Sequence, residues 1–574
     1  MKKITIIILI LASNILVAQK SLNLDFEYEI VGSKIPKKWY IGDNGYKISL
    51  EYKEKFSREK SLKIESDNPT AKQFAVCTNS FPVEYALNKT IEFKGRIKTH
   101  AVAEGYAGLW WRGTGKKNAI LSFDNMSDNG LIGDNEWTEV AIKIEVPDST
   151  EKIAFGALLT GTGTAWFDNF EIFIDGAKFE DIEPTIIKPN SAQLEWLRKQ
   201  IYPLQSFEPD FEHTEDLEIL DKLVGDARVV ALGENSHGSS EIFKMKHRII
   251  KYLTQNKDFD IFSIEANMPE AYEINDYIIE GKKKPKELIK GMRFWTWKTQ
   301  EVLSMVKWMK KQNKTNNKIQ FTGFDMQFFF QSIKELKAAF EEQTDLLKDI
   351  NELRDILEML KDKKYQNKAF PAYHTKRANE IILEIKLAIE ASSYNDDKKE
   401  WLLRNNRILE QFLGNSYIAR DKYMAENFEW IAEQNPESKL TIWAHNEHIK
   451  KTGHSMGKHL AQSLKDDYLT IGFTFHKGTY TATGKNRLNT YQAQDSYEGT
   501  FEYFFQSLDE PMFLLDLRKI KNNDSEHGQW IKENLEFRKV GSRKKNNEFQ
   551  ETNLIEDYDM IIFINKSSNS ILLK

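Results

Sequence analysis

The sequence is poor in cysteine and shows no marked excess of either charge. Its 574 residues include one cysteine, Cys77, so an internal disulfide cannot form. A chain of this length can bury a stable core without disulfides, even outside the cell. The 81 Lys and Arg residues nearly balance the 86 Asp and Glu residues, and the net charge is -5. Because the basic residues are scattered, neither nucleic acid nor an anionic membrane is expected as a partner.

Long apolar runs are also scarce, and the clearest one lies at the N-terminus. Lys2 and Lys3 precede an apolar run that ends at Ala18. This run is shorter than the roughly 20 residues that a membrane-spanning helix needs, and no cysteine follows it for lipid attachment. We therefore predict a signal peptide at residues 1–18, cleavage near Ala18, and export to the periplasm or the extracellular space without membrane association. A membrane anchor is the alternative.

The rest of the chain contains two kinds of hydrophobic pattern. Residues 20–177 consist of short alternating segments separated by turn-rich spacers, a pattern typical of a β-sandwich or jelly roll. Residues 178–192 contain two prolines and are predicted to be a linker. In residues 193–574, short apolar runs alternate with helical stretches, which predicts an α/β domain with a mostly parallel sheet. Residues 330–435 show no strand pattern and are predicted to form a helical insertion.

Polar residues follow several of the predicted buried strands of the second region. The segments ARVVALGE, DIFSIEAN, IQFTGFDM and LTIWAHN deliver Glu234 with His237, Glu265, Asp325, and His445 with His448, respectively. Each of these residues alone is more often structural than functional. Because ligands bind at the carboxyl ends of the strands in an open parallel sheet, the whole set is expected to converge on one crevice.

The same segments resemble the erythromycin esterase family. The resemblance rests on LGENSHGSSEIFKMKHRIIKYL, IEANMPEA, WAHNEHIKK and further segments in the same order, and it covers roughly residues 190–570. It implies that His237 is the general base acting on water, that Glu234 is its paired carboxylate, and that Glu265 is a further catalytic residue. It also places Lys246 where some members carry Arg, and Glu447 where Gly is common.

The resemblance extends to His445 and His448 as catalytic residues, and to a reaction in which water opens a macrolide lactone. A neutral histidine can take a proton from water and return it to a leaving alkoxide, and Lys246 or the second histidine could stabilise the oxyanion. Ser236 is the alternative nucleophile, but GENSHG is not the G-x-S-x-G turn of serine esterases. Zinc or manganese bound by Glu and His at these spacings is a further alternative, although the resemblance implies catalysis without a metal.

Several other residues are predicted to bind the substrate. Trp295 and Trp297 form either an apolar wall of the cleft or part of the core. Arg420 and Asn427 share one helical face, which points either into the cleft or to a surface row of ion pairs. Asp325 is expected to lie with them because it ends a strand.

The N-terminal region resembles carbohydrate-binding modules and galactose-binding-like jelly rolls, on the segments NLDFEYEI and GTGTAWFDNFEIFIDG. The resemblance implies a structural calcium between Glu27 and Asp168. Trp110 and Trp111 could stack on a sugar, but adjacent strand residues face opposite sides, so one of them belongs to the core.

Together these patterns predict an exported two-domain hydrolase that opens a macrolide lactone or another ester by His-activated water. The partner is a small-molecule ester or lactone, with a glycan as a further partner of the β domain. Resistance to macrolides would follow if a macrolide is the substrate. The alternatives are a metal-dependent hydrolase of another ester or amide, and an inactive glycan-binding protein.

Overall fold

The computed structural model describes residues 21–574, except 31–32, 43–44, 67–72, 182–187, 282, 362–370, 415 and 486. It divides into two units between Thr185 and Ile186. The predicted signal peptide, residues 1–18, and residues 182–187 of the predicted linker lie outside the described residues. No helix in the described part of the chain is long and apolar enough to cross a membrane.

The N-terminal unit is an antiparallel β structure, as the alternating pattern predicts. Its strands are β1 (Glu29–Ile30), β2 (Ile35–Pro36), β3 (Tyr40–Gly42), β4 (Tyr46–Glu51), β5 (Ser61–Ser66), β6 (Phe74–Asn79), β7 (Lys89–Thr114), β8 (Ile120–Asp124), β9 (Leu131–Val146), β10 (Lys152–Thr160), β11 (Thr162–Ile174) and β12 (Ala177–Phe179). The main sheet follows the order β3-β6-β10-β7-β11-β5-β4, with β8 and β9 paired to β7 and β12 paired to β11. One aromatic-rich core fills this unit.

Strand β7 contains two alternating apolar segments, TIEFKGRIKT and AGLWWRG. Such short segments are each typical of a separate strand, but here they belong to one. Between them, Ala101 and Glu104 have positive φ values of 52° and 56°, and the register with β9 shifts repeatedly. Such bulges bend a strand without ending it. The long strand can therefore pair with β10 and β8 near its end and with β11 and β9 near its start.

The adjacent tryptophans of β7 face opposite sides, as alternation requires. Trp111 is fully buried and lies 6.0 Å from Phe155, ring centroid to ring centroid. Trp110 is half-buried on the outer face. Trp111 is therefore the core member of the pair.

The structure corrects the predicted calcium site of this unit. Asp168 accepts hydrogen bonds from the backbone N–H groups of Phe56 and Ser57, both at 2.8 Å. Glu27 accepts from the backbone of Glu59 at 2.9 Å and of Lys60 at 3.1 Å. Oxygens that face N–H donors are not arranged for a cation. Both carboxylates instead hold the segment between β4 and β5.

The second unit is the α/β domain, and its elements follow the predicted alternation. Its strands are β13 (Ile201–Pro203), β14 (Val229–Leu232), β15 (Phe259–Asn267), β16 (Gln320–Asp325), β17 (Lys439–Trp443), β18 (Tyr468–Thr483), β19 (Leu488–Gln492), β20 (Met512–Asp516), β21 (Leu535–Arg538), β22 (Phe549–Thr552) and β23 (Met560–Ser567). Its helices are α1 (Ser191–Arg198), α2 (Ile219–Val224), α3 (Ser240–Asn256), α4 (Met268–Glu280), α5 (Pro285–Gly291), α6 (Gln300–Gln312), α7 (Phe330–Ala339), α8 (Thr344–Leu360), α9 (Ala372–Ala391), α10 (Asp396–Leu413), α11 (Tyr417–Glu433), α12 (Asn446–Ile449), α13 (Met456–Leu464), α14 (Phe501–Gln506), α15 (Leu517–Lys521), α16 (Gln529–Lys532) and α17 (Leu554–Asp557).

The sheet of this unit is buried on both faces. Its order is β13-β20-β23-β18-β14-β17-β15-β16, with β19 paired to β18. The central strands are parallel, and β13 and β20 add an antiparallel edge. Along β14, Val230 and Leu232 enter one hydrophobic core, while Val229 and Ala231 enter the other. Helices α7 to α11 form the predicted insertion between β16 and β17. Helices α7 to α10 pack around a core of their own, and α11 packs into the core on one face of the sheet.

Candidate active site

The site begins where β14 turns into α3. Glu234 and His237 lie in this turn, and the Ser239 side chain caps α3 by accepting from the Ile242 N–H. The turn passes close to β18. A Cβ atom at Gly238 would lie 2.0 Å from the carbonyl oxygen of Thr481, so glycine is required there.

Glu234 connects His237 to Lys246. Its Oε1 lies 3.0 Å from His237 Nδ1, and its Oε2 contacts Lys246 Nζ. Glu234 and Lys246 are fully buried, and His237 is 8% exposed. When Nδ1 donates to Glu234, the lone pair of His237 is on Nε2. The imidazole is therefore oriented as a base by a carboxylate.

Lys246 is fully buried behind Glu234 and therefore cannot contact a substrate. Its Nζ is 3.4 Å from the carbonyl oxygen of Ala444 and 4.3 Å from the ring centroid of Trp443. Burial lowers the pKa of Lys246 to about 8, although Glu234 opposes that shift. The structure thus corrects the expectation that Lys246 binds the oxyanion, because Glu234 occupies its ammonium group.

His445 presents a hydrogen-bond donor beside His237. The two ring centroids are 5.1 Å apart. His445 Nδ1 accepts the backbone N–H of Glu447 at 3.2 Å, so the ring proton is on Nε2. This buried Nε2 has no hydrogen-bond partner among the described residues. Burial and the nearby His237 lower the pKa of His445 to about 3, which keeps the ring neutral at physiological pH.

A charged network adjoins this pair of histidines. Arg420 donates from Nη2 to Glu265 at 2.8 Å and to Asp325 at 2.7 Å. His448 lies between two carboxylates, with Nδ1 2.8 Å from Asp421 Oδ1 and Nε2 3.2 Å from Glu265 Oε1. Glu265 also accepts the backbone N–H of His445 at 2.9 Å, which ties the network to the site.

Burial and charge oppose one another within this network. Burial and the nearby Arg420 would lower the pKa of His448, but Glu265 and Asp421 outweigh both and raise that pKa to about 10. Burial would raise the pKa of Glu265, yet His448 and Arg420 hold it well below its ordinary value. His448 is therefore an imidazolium paired with carboxylates, and it is not available as a base at neutral pH.

A loop from the C-terminal part of the chain covers the turn. The backbone N–H groups of Val540 and Gly541 donate to Asn235 O at 2.9 and 3.1 Å, and His237 N–H donates to Gly541 O at 3.3 Å. A Cβ atom at Gly541 would lie 3.8 Å from His445 Nε2. This loop therefore borders the space in front of both histidines.

The predicted substrate-binding residues divide into two groups. Trp297 is a core residue, 1% exposed, whose ring packs edge-on against His237 at 5.8 Å and whose Nε1 donates to Glu265 O at 2.9 Å. Trp295 is half-buried and makes none of these contacts in the described structure. Asp325 reaches the site through Arg420.

Asn427 lies away from the cleft, which corrects the prediction from helical spacing. It is fully buried, donates to Phe324 O at 3.0 Å, and exchanges hydrogen bonds with Gln411. Its polar atoms hold α11 against β16 and α10.

Ser236 and Glu447 also take structural positions. Ser236 is fully buried and its Oγ accepts from Gly238 N–H at 3.2 Å, with no bond to His237 among the described contacts. Glu447 lies between Lys450 at 2.9 Å and Lys539 at 3.1 Å. Its charge is therefore paired, and burial notwithstanding, these lysines lower its pKa to about 2.

The described residues contain no group of three or more His, Cys, Asp or Glu side chains arranged to hold a metal ion. The oxygens of Glu234 face His237 and Lys246, and His448 is held between two carboxylates. The geometry therefore gives no support to zinc or manganese at these residues.

Two contributors to the site were missed by sequence reasoning. Asp421 orients His448, but the helical-face argument pointed to Arg420 and Asn427 instead. Its position directly after Arg420 was the available signal. Gly541 lies in a loop without any strand-end pattern, and the sequence carries no signal for it.

Comparison with known proteins matches the second unit to one family. The family model described as erythromycin esterase matches residues 254–567. Glu234, His237 and Lys246 precede the matched residues. The chain is 26% identical over 357 residues to the Escherichia coli protein named erythromycin esterase type II, which covers 54% of this chain and 84% of that protein.

Alignments with solved structures cover parts of both units. A protein described as a succinoglycan biosynthesis protein aligns at 27% identity with a TM-score of 0.58, covering 66% of this chain and 98% of its own. The CBM22-1 xylan-binding domain of Paenibacillus barcinonensis Xyn10C aligns with the N-terminal part at 15% identity and a TM-score of 0.23, covering 28% of this chain and 97% of that domain.

Proposed function

The chain belongs to the erythromycin esterase family, and we propose that it is an exported hydrolase that opens an ester or lactone with water activated by His237. The observation that carries the proposal is the pairing of His237, held by Glu234 at 3.0 Å, with His445, whose Nε2 has no described partner. One ring supplies a base and the other a hydrogen-bond donor.

The reaction follows from these two roles. His237 Nε2 takes a proton from water as the water oxygen attacks the carbonyl carbon. The oxyanion that forms accepts a hydrogen bond from His445 Nε2–H. The protonated His237 then gives its proton to the leaving alkoxide as the carbon–oxygen bond breaks. The products are a carboxylic acid and an alcohol, and no covalent intermediate with the protein forms.

The network around Glu265 fixes the position of His445. Glu265 holds the His445 backbone at 2.9 Å, and Arg420 and His448 hold Glu265. We assign these three as positioning residues. Trp297 is 1% exposed and belongs to the hydrophobic core, so it supports the His237 ring without lining the cleft. A macrolide lactone is one candidate for the substrate, and a smaller acyl ester is another.

The decisive experiment is hydrolysis of a panel of macrolides and acyl esters by the full chain. We expect at least one ester to be hydrolysed, and His237→Ala to lower kcat/KM by about 10²- to 10⁴-fold. His454, which is exposed on the same unit, supplies the control variant His454→Ala. Absence of hydrolysis of every ester by the wild-type protein would overturn the proposal.

A Ser236 variant and a chelator test distinguish activated water from a serine nucleophile and from a metal-dependent mechanism. Ser236→Ala should retain activity if water is the nucleophile, whereas its inactivity with an intact fold would favour an acyl-enzyme. Loss of activity with a chelator and recovery with zinc or manganese would favour the metal alternative. Export is tested by cell fractionation, which should recover a chain that starts near residue 19 outside the cytoplasm.

The second hypothesis is an inactive glycan-binding protein. It is disfavoured by the buried charges of Glu234 and Lys246 and by the ring of groups around Glu265. Burying such charges opposes folding, and perturbed titratable groups cluster at functional sites.

A further inference from the structure

A row of cross-strand partners spans the outer face of the N-terminal unit. Tyr40 pairs with Thr78, Thr78 pairs with Gly156, and Gly156 pairs with Trp110. Cross-strand partners point to the same side of a sheet, so the row carries an aromatic ring at each end and little side-chain bulk between them. Three strand spacings, about 14 Å, separate the two aromatic positions.

Glycine is required in the middle of this row. A Cβ atom at Gly156 would lie 1.9 Å from the carbonyl oxygen of Cys77. The backbone of β10 therefore approaches β6 too closely for a side chain at this position. No side chain projects from Gly156 into the space between the two aromatic residues. Tyr40 is 73% exposed at the open end.

The face next to this row is positively charged. Arg112 lies two residues from Trp110 and pairs with Ala154, and Lys152 pairs with Thr114. Together with Tyr40, Thr78 and Trp110 they line a cleft of about 580 Å³, whose lining also includes Lys38 and contains no Asp or Glu.

Arg112 and Lys152 are available to a ligand. Arg112 donates from Nε to Thr114 Oγ1 at 3.1 Å, which orients the guanidinium plane. Neither Arg112 nor Lys152 forms an ion pair with another residue in the described part of the chain. An arginine that is oriented in this way presents its terminal N–H groups to a carboxylate or a sulfate.

We propose that this cleft binds an acidic polysaccharide, whose sugar rings stack on Tyr40 and Trp110 and whose carboxylate or sulfate groups bind Arg112 and Lys152. Flat aromatic rings present apolar faces to sugars, while the cations select the acidic groups. A neutral glycan would use the aromatic residues alone. The assignment concerns the β unit and does not depend on the hydrolase activity.

Binding is best measured with pairs of polymers that share a backbone. The probes are polygalacturonate against fully methyl-esterified pectin, and dextran sulfate against dextran, each titrated into the full chain. We expect the acidic member of at least one pair to bind about tenfold or more tightly than its neutral counterpart. The pair that shows the difference identifies the acidic group as carboxylate or sulfate.

Variants test the residues that carry the proposal. Arg112→Gln combined with Lys152→Gln should weaken acidic binding about tenfold or more and abolish the preference over the neutral polymer. Tyr40→Ala should weaken binding as well. Lys143 is exposed on β9 outside the cleft, and Lys143→Gln should bind like the wild-type protein. Unchanged thermal unfolding shows that the variants remain folded.

Three outcomes would overturn the proposal: no acidic polymer binds, both members of each pair bind equally, or polyglutamate binds as well as the acidic glycans with Tyr40→Ala without effect. The last outcome would indicate a general attraction to polyanions. Because His237→Ala should bind normally, failure here is distinguishable from failure of the hydrolase proposal.

Discussion

The two units of the chain use hydrogen-bonded carboxylates in opposite ways. In the β unit, Asp168 and Glu27 accept hydrogen bonds from consecutive backbone N–H groups of one nearby segment. In the α/β unit, Glu234 and Glu265 face cationic side chains that come from other elements. The first arrangement fixes a loop. The second places buried charges close enough to the catalytic histidines to act on them electrostatically.

The difference matters because the energetic consequences of losing a partner differ. Removing a carboxylate that accepts from backbone N–H groups leaves those neutral groups without an acceptor. A carboxylate lost from a buried cation leaves an uncompensated charge, which is more costly. Carboxylates of the first kind should therefore affect stability alone, and those of the second kind should affect both stability and catalysis.

The largest expected effect is on Glu234. Glu234→Gln leaves the Lys246 ammonium buried without its counter-charge, and we expect the free energy of unfolding to fall by about 3–5 kcal/mol. Chemical denaturation measures this. Adding Lys246→Met should restore most of the stability without restoring activity. Glu212→Gln, at an exposed position, is the control. A loss as small as that of the control would show that the buried pair contributes little.

Next in size is the effect of removing the free donor of His445. His445→Phe should lower kcat by about 10²- to 10³-fold with a smaller change in KM, because an oxyanion donor acts mainly in the transition state. Steady-state kinetics on a hydrolysed ester measures this, with His454→Phe as the control. A change in KM alone would assign His445 to substrate binding instead.

A smaller effect is expected from the β unit. Asp168→Ala leaves the N–H groups of Phe56 and Ser57 without their acceptor, and should destabilise this unit by about 2 kcal/mol. Calorimetry should show a lower Tm for the transition of the β unit, while ester hydrolysis stays unchanged. Glu145→Ala, on an exposed site of β9, should leave both unchanged. Lost hydrolysis in Asp168→Ala would contradict the separation of roles.

The smallest expected effect concerns the pH dependence of activity. With a pKa of about 8, Lys246 loses its proton as pH rises, and Glu234 then loses its counter-charge. Activity should therefore decline above about pH 8. Lys246→Arg stays charged and should extend activity to higher pH. Rate profiles between about pH 6 and 10 compare the two, with Lys244→Arg as the control.

The deprotonation of Lys246 should also affect stability, but the free energy of unfolding should rise with pH where the activity falls. The pKa of Lys246 is lower in the folded protein than in the unfolded chain, so the unfolded chain binds more protons between about pH 8 and the ordinary lysine value of about 10.5. This contribution to the free energy of unfolding therefore rises across that interval. It should be absent from Lys246→Arg, as denaturation at the two ends of the interval would show.

The sequence allowed most of the architecture to be predicted because its periodicity is strong. Alternating segments predicted the β unit, and buried runs separated by helices predicted the parallel sheet. Because ligands bind at the carboxyl ends of parallel strands, the polar residues after Leu232 and Trp443 were expected to converge, and the structure shows that the two strands are neighbours. Strand direction was therefore enough to predict the centre of the site.

The remaining features depend on contacts that local pattern does not encode. The two apolar halves of β7 are separate segments in the sequence pattern, but bulges at Ala101 and Glu104 keep the strand continuous. Helical spacing grouped Arg420 with Asn427, although only the longer side chain reaches the site. Gly541 contacts the site through backbone hydrogen bonds, which any residue type can form, so its identity does not predict this position.

The hydrogen bonds between Gly541 and the turn of His237 also set when activity can arise during synthesis. The ribosome makes the turn long before it makes the loop that covers it. A nascent chain that ends before this loop contains His237 and His445 but lacks the backbone hydrogen bonds that hold the turn of His237. Catalysis thus requires the nearly finished polypeptide, because a fragment that ends before Val540 lacks both this loop and strand β23 of the main sheet, and it should be inactive.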